Sequence, residues 1–488
     1  MTASDFAPRA YVASAGPGAR ICIIALSAIA DDPRVRRQAE AFHNAGWNVV
    51  AVGLPGARSA APEWLILTRE TRRAPTAAGC DLALGTSPAA PEPSPCAPLR
   101  AGIKAWLSPQ SLSALDRRTE RYGGLARDIL RPLVRLAYRL RRILAYPVRL
   151  VRRVIIGVRL LATRVRPAIA QEIYWSFSEN IRQIYDCARR VDAEVWLAND
   201  WTMLPLAARL AREKGGIYCY DTHEFAAEEY GNDRSWRLWR RPMVCALERE
   251  FIGQAAVVSA VSAGIAERLG KLYQLPAASI TIRNTPNFEP IAFHPTSPDR
   301  IRVLYHGIVT PGRGLEATID SVAAWRLQFD LTIRGPGDEN YLAALRARIS
   351  ERGLTDRITI APPVPMTALV REAAAYDIGF FALPGSSRHN EFALPNKFFE
   401  YIMAGLALCL TELPEMARLL REYKLGVTFR SVELVAIATA INALDPANID
   451  RYKRNALAAA RELCWERESE RLIKAYEALL DRAVPQAA

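Results

Sequence analysis

Short apolar runs alternate with amphipathic segments along most of the chain. The run Ile21–Leu26 is apolar throughout, which is typical of a parallel strand buried on both faces. Asp32 and Pro33 then predict a helix start, because Asp is a good cap and Pro fits the first turn. Val49–Val52 follow as the next strand. This strand–helix–strand unit predicts a parallel sheet.

The same rhythm returns after residue 172 and again after residue 300. "AEVWLAND" and "IYCYDTHEF" predict strands of the first half, and "RVLYHGIVT" and "YDIGFFALPG" predict strands of the second. A Pro-bearing stretch after "ITIRN" places a domain boundary near residue 290. The predicted fold class is α/β, with two tandem Rossmann-like sheets facing a cleft. Ligands are expected at the carboxyl ends of the strands.

Two stretches break this rhythm. Residues 71–100 are rich in Pro, Ala and Ser and are predicted to be a flexible insert. The segment 117–166 holds fifteen Arg, no Lys and two acids, and its Arg residues recur every three or four positions opposite an apolar face. One interpretation is an interfacial helix on an anionic membrane. The other is a solvated arm packed on its own domain.

Composition narrows the classes of partner. The formal charge of +13 implies an anionic partner. Nucleic acid is not expected, because the Arg-rich segment has few aromatic residues and no nucleic-acid motif accompanies it. The eight Cys form no C-x-x-C pair, so we expect reduced thiols in a cytoplasmic protein. Neither a signal peptide nor a membrane-spanning helix is expected.

The loop "HGIVTPGRGLE" is the first candidate site. It follows a strand and opens a helix, and it contains Gly307, Gly314 and Arg313. Backbone amides and a helix start can bind an anion there, and a guanidinium can hold a phosphate. The alternative is an ordinary tight turn between strand and helix. A second glycine turn follows the next strand, at Gly335.

The stretch "EFALPNKFFEYIMAGL" is the second candidate. Pro395 fits a helix start, and Lys397 would lie in the first turn, where a phosphate meets the helix dipole and an ammonium. Glu400 shares that face, and its carboxylate suits a ribose hydroxyl pair. The alternative is a surface ion pair between Lys397 and Glu400.

His223 is the third candidate, at a predicted strand end between Asp221 and Glu224. It could polarise a hydroxyl group. The alternative is a histidine at the edge of the core that bonds to backbone. No Asp-x-Asp motif occurs, so a site that binds a diphosphate through a metal is not supported.

Together these features resemble retaining glycosyltransferases of family 4, which have the GT-B fold. The resemblance covers residues 20–70 and 170–485 and rests on "YDTHE", "HGIVTPGRGLE" and "LPNKFFEYIMAGL" in this order. It implies transfer of a sugar from a nucleotide-sugar without a metal or other cofactor, with retention of configuration.

The resemblance also implies roles for individual residues. Arg313 corresponds to the residue that binds the donor diphosphate, and Glu400 to the second Glu of an E-x7-E motif, which contacts the ribose. His223 corresponds to the histidine near the transferred sugar. The remaining predicted donor-side residues are Gly307, Gly314, Gly335, Leu394, Pro395, Asn396 and Lys397, and Asn284 corresponds to a linker residue.

Two positions depart from the family pattern. The first Glu of E-x7-E falls at Phe392, with Glu391 one residue earlier, and a family Arg falls at Ile308. Glu391, Asp221 and Glu224 are therefore the candidates for contacts on the sugar side. Lys397 is the candidate to supply the missing diphosphate contact.

The sequence thus predicts a glycosyltransferase on the cytoplasmic face of a membrane. Residues 18–290 would form the acceptor domain, with 71–100 and 101–172 inserted, residues 291–465 the donor domain, and residues 466–488 a helix that returns to the first domain. A lipid-linked or saccharide acceptor in surface polysaccharide assembly is expected. The alternatives are a GT-B epimerase or phosphorylase, or a non-catalytic scaffold.

Overall fold

The structure is a computed structural model that describes residues 18–56, 61–69, 155–385 and 388–483. The predicted insert 71–100 and the Arg-rich segment through residue 154 lie outside these ranges. The chain divides into two compact units, residues 1–75 with 163–488 and residues 76–162. Of the second unit only residues 155–162 are described, and they are helical.

The N-terminal half is built on a parallel sheet of seven strands in the order β3-β2-β1-β4-β5-β6-β7. Its strands are β1 (Arg20–Ala28), β2 (Asn48–Leu54), β3 (Leu65–Leu67), β4 (Val195–Asn199), β5 (Ile217–Thr222), β6 (Val258–Ala260) and β7 (Ile280–Thr281). Residues in the middle of β1 and β4 are fully buried, as continuous apolar runs predict for central parallel strands.

Helices connect these strands. They are α1 (Pro33–Asn44), α2 (Ala168–Phe177), α3 (Glu179–Ala188), α4 (Leu204–Lys214), α5 (Arg241–Phe251) and α6 (Ala263–Tyr273). Asp32 caps α1 by accepting from the amides of Arg34 and Val35, and Ser262 caps α6 by accepting from Ile265. One π-helical turn, Trp236–Arg240, leads directly into α5.

The C-terminal half repeats this design with six parallel strands in the order β10-β9-β8-β11-β12-β13. The strands are β8 (Ile301–His306), β9 (Phe329–Arg334), β10 (Ile358–Ala361), β11 (Ile378–Phe381), β12 (Ala407–Thr411) and β13 (Gly426–Phe429). The helices are α7 (Leu315–Val322), α8 (Glu339–Glu351), α9 (Leu369–Ala373), α10 (Arg388–Phe392), α11 (Asn396–Met403), α12 (Pro414–Glu422), α13 (Leu434–Asn442), α14 (Pro446–Ala459) and α15 (Trp465–Ala483).

The last helix belongs to the core of the first half. Tyr476 of α15 packs edge-on against Phe42, with ring centroids 4.9 Å apart, and Trp47 lies 6.5 Å away. Leu472 and Leu480 are buried in the same apolar cluster. The chain therefore crosses between the two halves twice, once on leaving the first sheet and once before α15.

The predicted α/β architecture of two Rossmann-like sheets is confirmed. The amphipathic stretch "WTMLPLAARLAREKGG" predicts a helix from Trp201, but the helix begins at Leu204 because residues 201–203 form a turn. The short helix α10 was not expected, since five residues show no helical periodicity. Within the described ranges, no helix is both long and apolar enough to span a bilayer.

Candidate functional site

The turns after β8 and β9 touch through two glycines. Gly307 and Gly335 have φ of +122° and +150°, which residues with a side chain rarely adopt. A Cβ added to Gly335 would lie 1.9 Å from the carbonyl oxygen of Gly307, so this contact requires glycine. The two turns together form a side-chain-free backbone edge at the carboxyl end of the second sheet.

Lys397, in the first turn of α11, lies over this edge. Its Nζ is 4.1 Å from the ring centroid of Tyr305 and 4.2 Å from that of Phe381. A Cβ at Gly307 would lie 2.8 Å from the same Nζ. Burial, and then repulsion from Arg313, lower the pKa of Lys397 to about 7, although Glu400 opposes the shift. A lysine so placed gains its full charge when an anion binds beside it.

Glu400 lies one turn further along α11 and approaches the end of β8. Its Oε2 is 2.9 Å from Nε2 of His306, which is almost completely buried and stacks on Tyr401. The contact has the distance of an ion pair but not the alignment of a hydrogen bond. Within the described ranges, neither ring nitrogen of His306 has a hydrogen-bond partner. A buried polar group without a partner is costly, which makes this edge receptive to a polar ligand.

The remaining predicted donor-side residues surround Lys397. Gly314 caps α7 in the left-handed conformation, and Arg313, just before it, is close enough for its charge to act on Lys397. Pro395 is the N-cap of α11, Asn396 is its first residue, and Leu394 is buried beneath it. The structure therefore brings the two predicted donor motifs together, and Lys397 is not the surface ion-pair partner that the alternative required.

In the first half, the buried carboxylate of Asp221 is held from several sides. Arg34 donates to both of its oxygens at 2.7 and 2.6 Å, and Gln38 and Ser259 donate at 2.9 and 2.5 Å. Burial alone would raise the pKa of Asp221, but the Arg34 guanidinium and His223 hold it far below its usual range. Asp221 is thus a fixed anion within the core, with His223 beside it.

His223 lies between the loops after β4 and β5. Its Nε2 is 2.8 Å from Oδ1 of Asn199 and 3.4 Å from Asp221, and its Nδ1 is 3.6 Å from Asp200. Burial alone would lower the pKa of His223, but Asp200 and Asp221 raise it overall. The two carboxylates therefore stabilise the protonated form of this ring, at the carboxyl end of the first sheet.

Hydrogen bonds and an ion pair join the two halves at this end of their sheets. Nε2 of His389, on α10, lies 3.0 Å from Oε2 of Glu224, and Ser262 donates to the carbonyl of Phe392 at 2.9 Å. Nδ2 of Asn284 donates to Oδ1 of Asn396 at 2.7 Å. Glu391 lies on α10 between His389 and Phe392 and is partly buried. Sugar-side and donor-side candidates therefore border one site.

Arg37 of α1 extends this connection. Its guanidinium donates to Oδ1 of Asn284 at 3.0 Å and also to the carbonyl of Thr285. Burial lowers the pKa of Arg37 to about 10, partly offset by Glu400. One chain of contacts thus runs from α1 through the linker to the first residue of α11.

The charges of the site are divided between the two halves. Arg313 and Lys397 lie on the second sheet's side, whereas Glu224 and Asp200 flank His223 on the first. This division suits a ligand with an anionic part in the second half and a hydroxyl-bearing part against the first. Among the described residues, no group of three or more His, Cys, Asp or Glu is arranged to hold a metal ion.

Sequence reasoning did not single out His306, Arg37 or His389 as site residues. His306 ends a buried strand directly before Gly307, and that position was a usable signal. Arg37 lies on an amphipathic helix and His389 in a short irregular stretch, so only the fold shows that they lie at the junction of the two halves.

The chain matches no protein-family model, and no curated protein sequence is significantly similar to it. Its fold matches many solved structures. Sucrose-phosphate synthase from Thermosynechococcus elongatus superposes with a TM-score of 0.59 at 15% identity, over 95% of this chain and 100% of that one. Anabaena HepE in complex with UDP and glucose superposes with a TM-score of 0.54 at 12% identity, over 94% of this chain and 100% of that one. A glycosyltransferase from Rickettsia africae superposes with a TM-score of 0.56 at 10% identity, over 95% of this chain and 99% of that one. The chain has the GT-B fold of these proteins.

Proposed function

We propose that this protein is a glycosyltransferase that moves a sugar from a nucleotide-sugar to an acceptor. The observation that carries the proposal is the position of Lys397, which holds its ammonium over the glycine edge of the second sheet, beside Arg313 and at the start of α11. Cations, helix amides and bare backbone converge there, and this is the chemistry that binds a diphosphate. Two solved structures of the same fold hold UDP with glucose or UDP-2-fluoro glucose.

The diphosphate would lie against Lys397, Arg313 and the amides at Gly307. Glu400, one turn beyond Lys397, would accept hydrogen bonds from the ribose hydroxyls, with His306 beside it. As the glycosidic bond to the diphosphate breaks, negative charge grows on the leaving phosphate, and two cations placed there stabilise it. No metal is then needed for that role, and metal independence is part of the proposal.

The transferred sugar would lie where the two halves meet. His223 would donate to a sugar hydroxyl, and Glu224 and Glu391 are the candidate carboxylates at this junction. We assign the chain to family 4 and infer that it retains the anomeric configuration, on the order and spacing of its motifs. A lipid-linked acceptor in surface polysaccharide assembly, and a membrane contact through residues 117–166, complete the proposal.

Donor binding tests the assignment first. Thermal-shift screening against UDP-, GDP- and ADP-sugars should identify a donor, because a ligand at a hundred times its Kd adds about 2.7 kcal/mol to the free energy of unfolding. Lys397→Met and Glu400→Ala should each weaken binding by about ten- to a hundredfold. Lys271→Met, an exposed lysine on α6, is the matched control and should bind the donor normally.

Product analysis then separates the enzyme classes. Transfer that is lost in Arg313→Met, with the product's anomeric configuration read by NMR, supports a retaining transferase. Release of a free sugar derivative from the donor alone, without acceptor, would indicate an epimerase instead. A chain that binds none of the three donors would be a scaffold, and the proposal would then be wrong.

A further inference from the structure

A basic and apolar surface lies on the first half, outside the site described above. Three of its apolar side chains are exposed, Val165 by 85%, Leu238 by 46% and Phe177 by 42%. Three exposed arginines, Arg164, Arg237 and Arg240, flank them. We call these six residues the docking surface.

Two contacts show that the docking surface is continuous. Nη2 of Arg164 donates to the carbonyl of Leu238 at 3.4 Å. The guanidinium carbon of Arg240 lies 5.5 Å from the ring centroid of Phe177. The turn before α2, the end of α2 and the π-helical turn are therefore neighbours in space.

The π-helical turn is anchored from beneath, so the exposure of Leu238 does not come from a loose loop. Trp236 is buried, packs against Tyr230 with ring centroids 4.9 Å apart, and belongs to a cluster with Ala226 and Val244. Because Trp236 turns inward, Arg237, Leu238 and Arg240 are left on the outside. π-Helical turns are uncommon and often occur at functional positions.

The chemistry of this surface fits anionic lipid. The sequence "RSWRLWRR" from residue 234 to 241 has four arginines and no acid. Arg241 bonds to Glu228, whereas Arg234, Arg237 and Arg240 are exposed. An arginine near an anionic bilayer contributes about 1 kcal/mol, and interfacial Phe, Leu and Trp add apolar burial.

Other occupants fit less well. A second copy of the chain would bring arginines against arginines. Nucleic acid would leave Val165 and Leu238 without a role, because aliphatic side chains do not stack on bases. Three apolar side chains are also few for a stable protein interface, which buries about 800 Å² on each partner.

We infer that the docking surface binds anionic membranes, with Val165, Phe177 and Leu238 entering the interfacial zone and the three arginines meeting lipid headgroups. Arg164 and Val165 lie at the end of the Arg-rich segment 117–166, and the other four residues of the docking surface lie outside that segment. All six residues of the docking surface belong to the first half.

The docking surface is built on the same connections as the first half of the candidate site. The segment from β5 to α5 carries His223 and Glu224 at its start and Leu238 near its end. Trp201, directly after Asp200, packs on the Trp236 cluster, and Tyr174 of α2 donates to the carbonyl of Thr202 at 2.7 Å. If the proposed function holds, a membrane-held acceptor would thus be presented next to Glu224. This last step rests on the proposed function, whereas membrane binding does not.

Vesicle co-sedimentation of the full chain tests the inference, with phosphatidylcholine vesicles that contain about 30% phosphatidylglycerol compared with pure phosphatidylcholine. The triple variant V165S/F177S/L238S should bind the anionic vesicles at least tenfold more weakly than the wild type. The variant R164Q/R237Q/R240Q should show a weaker preference for anionic vesicles than the wild type. A matched control, L327S/M366S/V435S, changes exposed apolar residues of the second half and should bind normally.

Several results would overturn the inference. The inference is wrong if the wild type does not bind the vesicles, or if both docking-surface variants bind them as well as the wild type does. It is also wrong if these variants lose dimerisation or RNA binding but keep vesicle binding. Circular dichroism confirms that each variant is folded. Thermal shift with the nucleotide-sugar separates the two proposals, because docking-surface variants should keep donor binding. Vesicle binding without any donor binding would leave the docking surface standing and remove the proposed function.

Discussion

His389 and Glu224 form a contact between the two halves of the molecule, with Nε2 of the histidine 3.0 Å from Oε2 of the glutamate. His389 lies on α10, directly before the donor-side motif, and Glu224 follows the strand that carries Asp221. The contact therefore spans the place where the two parts of the proposed substrate complex would meet.

The contact should depend on pH. Burial alone would lower the pKa of His389, but the hydrogen bond and charge of Glu224 raise it overall. A raised histidine pKa gives stability that is fully present below about pH 6.5 and is lost as the pH rises through the higher, folded value. His389→Gln should therefore lower the free energy of unfolding at pH 6, by at most about 1 kcal/mol because Glu224 is half exposed, and change nothing at pH 9. Urea unfolding at the two pH values measures this difference, and an equal difference at both would contradict the assignment.

Histidine replacement elsewhere provides the control. His43 lies 3.6 Å from the exposed carboxylate of Glu63, far from the site. His43→Gln should have little effect on unfolding at either pH, since a solvated pair contributes little.

Donor binding should weaken above neutral pH. The pKa of Lys397 is about 7 in the free protein, and a bound diphosphate would raise it, so binding takes up a proton. The donor's Kd should be flat below pH 7 and rise by up to about tenfold for each pH unit above it, until the bound-state pKa is reached. Isothermal titration calorimetry in buffers of different ionisation enthalpy measures the proton uptake directly. Lys397→Met should bind more weakly and show no uptake; uptake that persists in this variant would point to another group.

Arg34 should be essential for the stability of the first half. Its replacement by Met leaves the Asp221 carboxylate buried without its main partner, which costs about 3–5 kcal/mol. Arg36 lies two residues away on the same helix and pairs with Glu40 at the surface, so Arg36→Met should cost less than about 1 kcal/mol. Urea unfolding of both variants at pH 7 makes the comparison. Similar losses in the two would mean that Asp221 is held adequately by Gln38 and Ser259.

Glu248 should reduce stability as the pH rises. It is fully buried and accepts hydrogen bonds from Tyr220 and Tyr273, and burial raises its pKa to about 7 despite these bonds. The folded state therefore holds a proton that the unfolded state releases between pH 4.5 and 7, and stability falls across that window. Glu248→Gln should remove up to about 3 kcal/mol of that fall. The exposed Glu267→Gln is the control, and a pH profile unchanged by Glu248→Gln would refute the prediction.

The two sheets could be predicted because each half repeats buried apolar strands followed by capped helices. The nearness of Lys397 and Arg313 could also be predicted, since both follow strands that end at the same edge of one parallel sheet. The role of Asp221 as the buried partner of Arg34 could not be predicted. Asp221 was predicted to be a sugar-side candidate. Its partner Arg34 lies in the first turn of α1, two residues after the cap Asp32, where an arginine is typical of a solvated face. The contact of His389 with Glu224 was likewise invisible, because only the packing of one half on the other creates it.

The return of α15 to the first half has a consequence for how this protein is made. A nascent chain that has left the ribosome through residue 290 contains the whole first sheet but lacks Leu472, Tyr476 and Leu480. The apolar surface of Phe42 and Trp47 therefore stays uncovered until α15 has been translated. The first half is thus completed only after the second half, and during that interval it presents a binding site for chaperones or for another nascent chain.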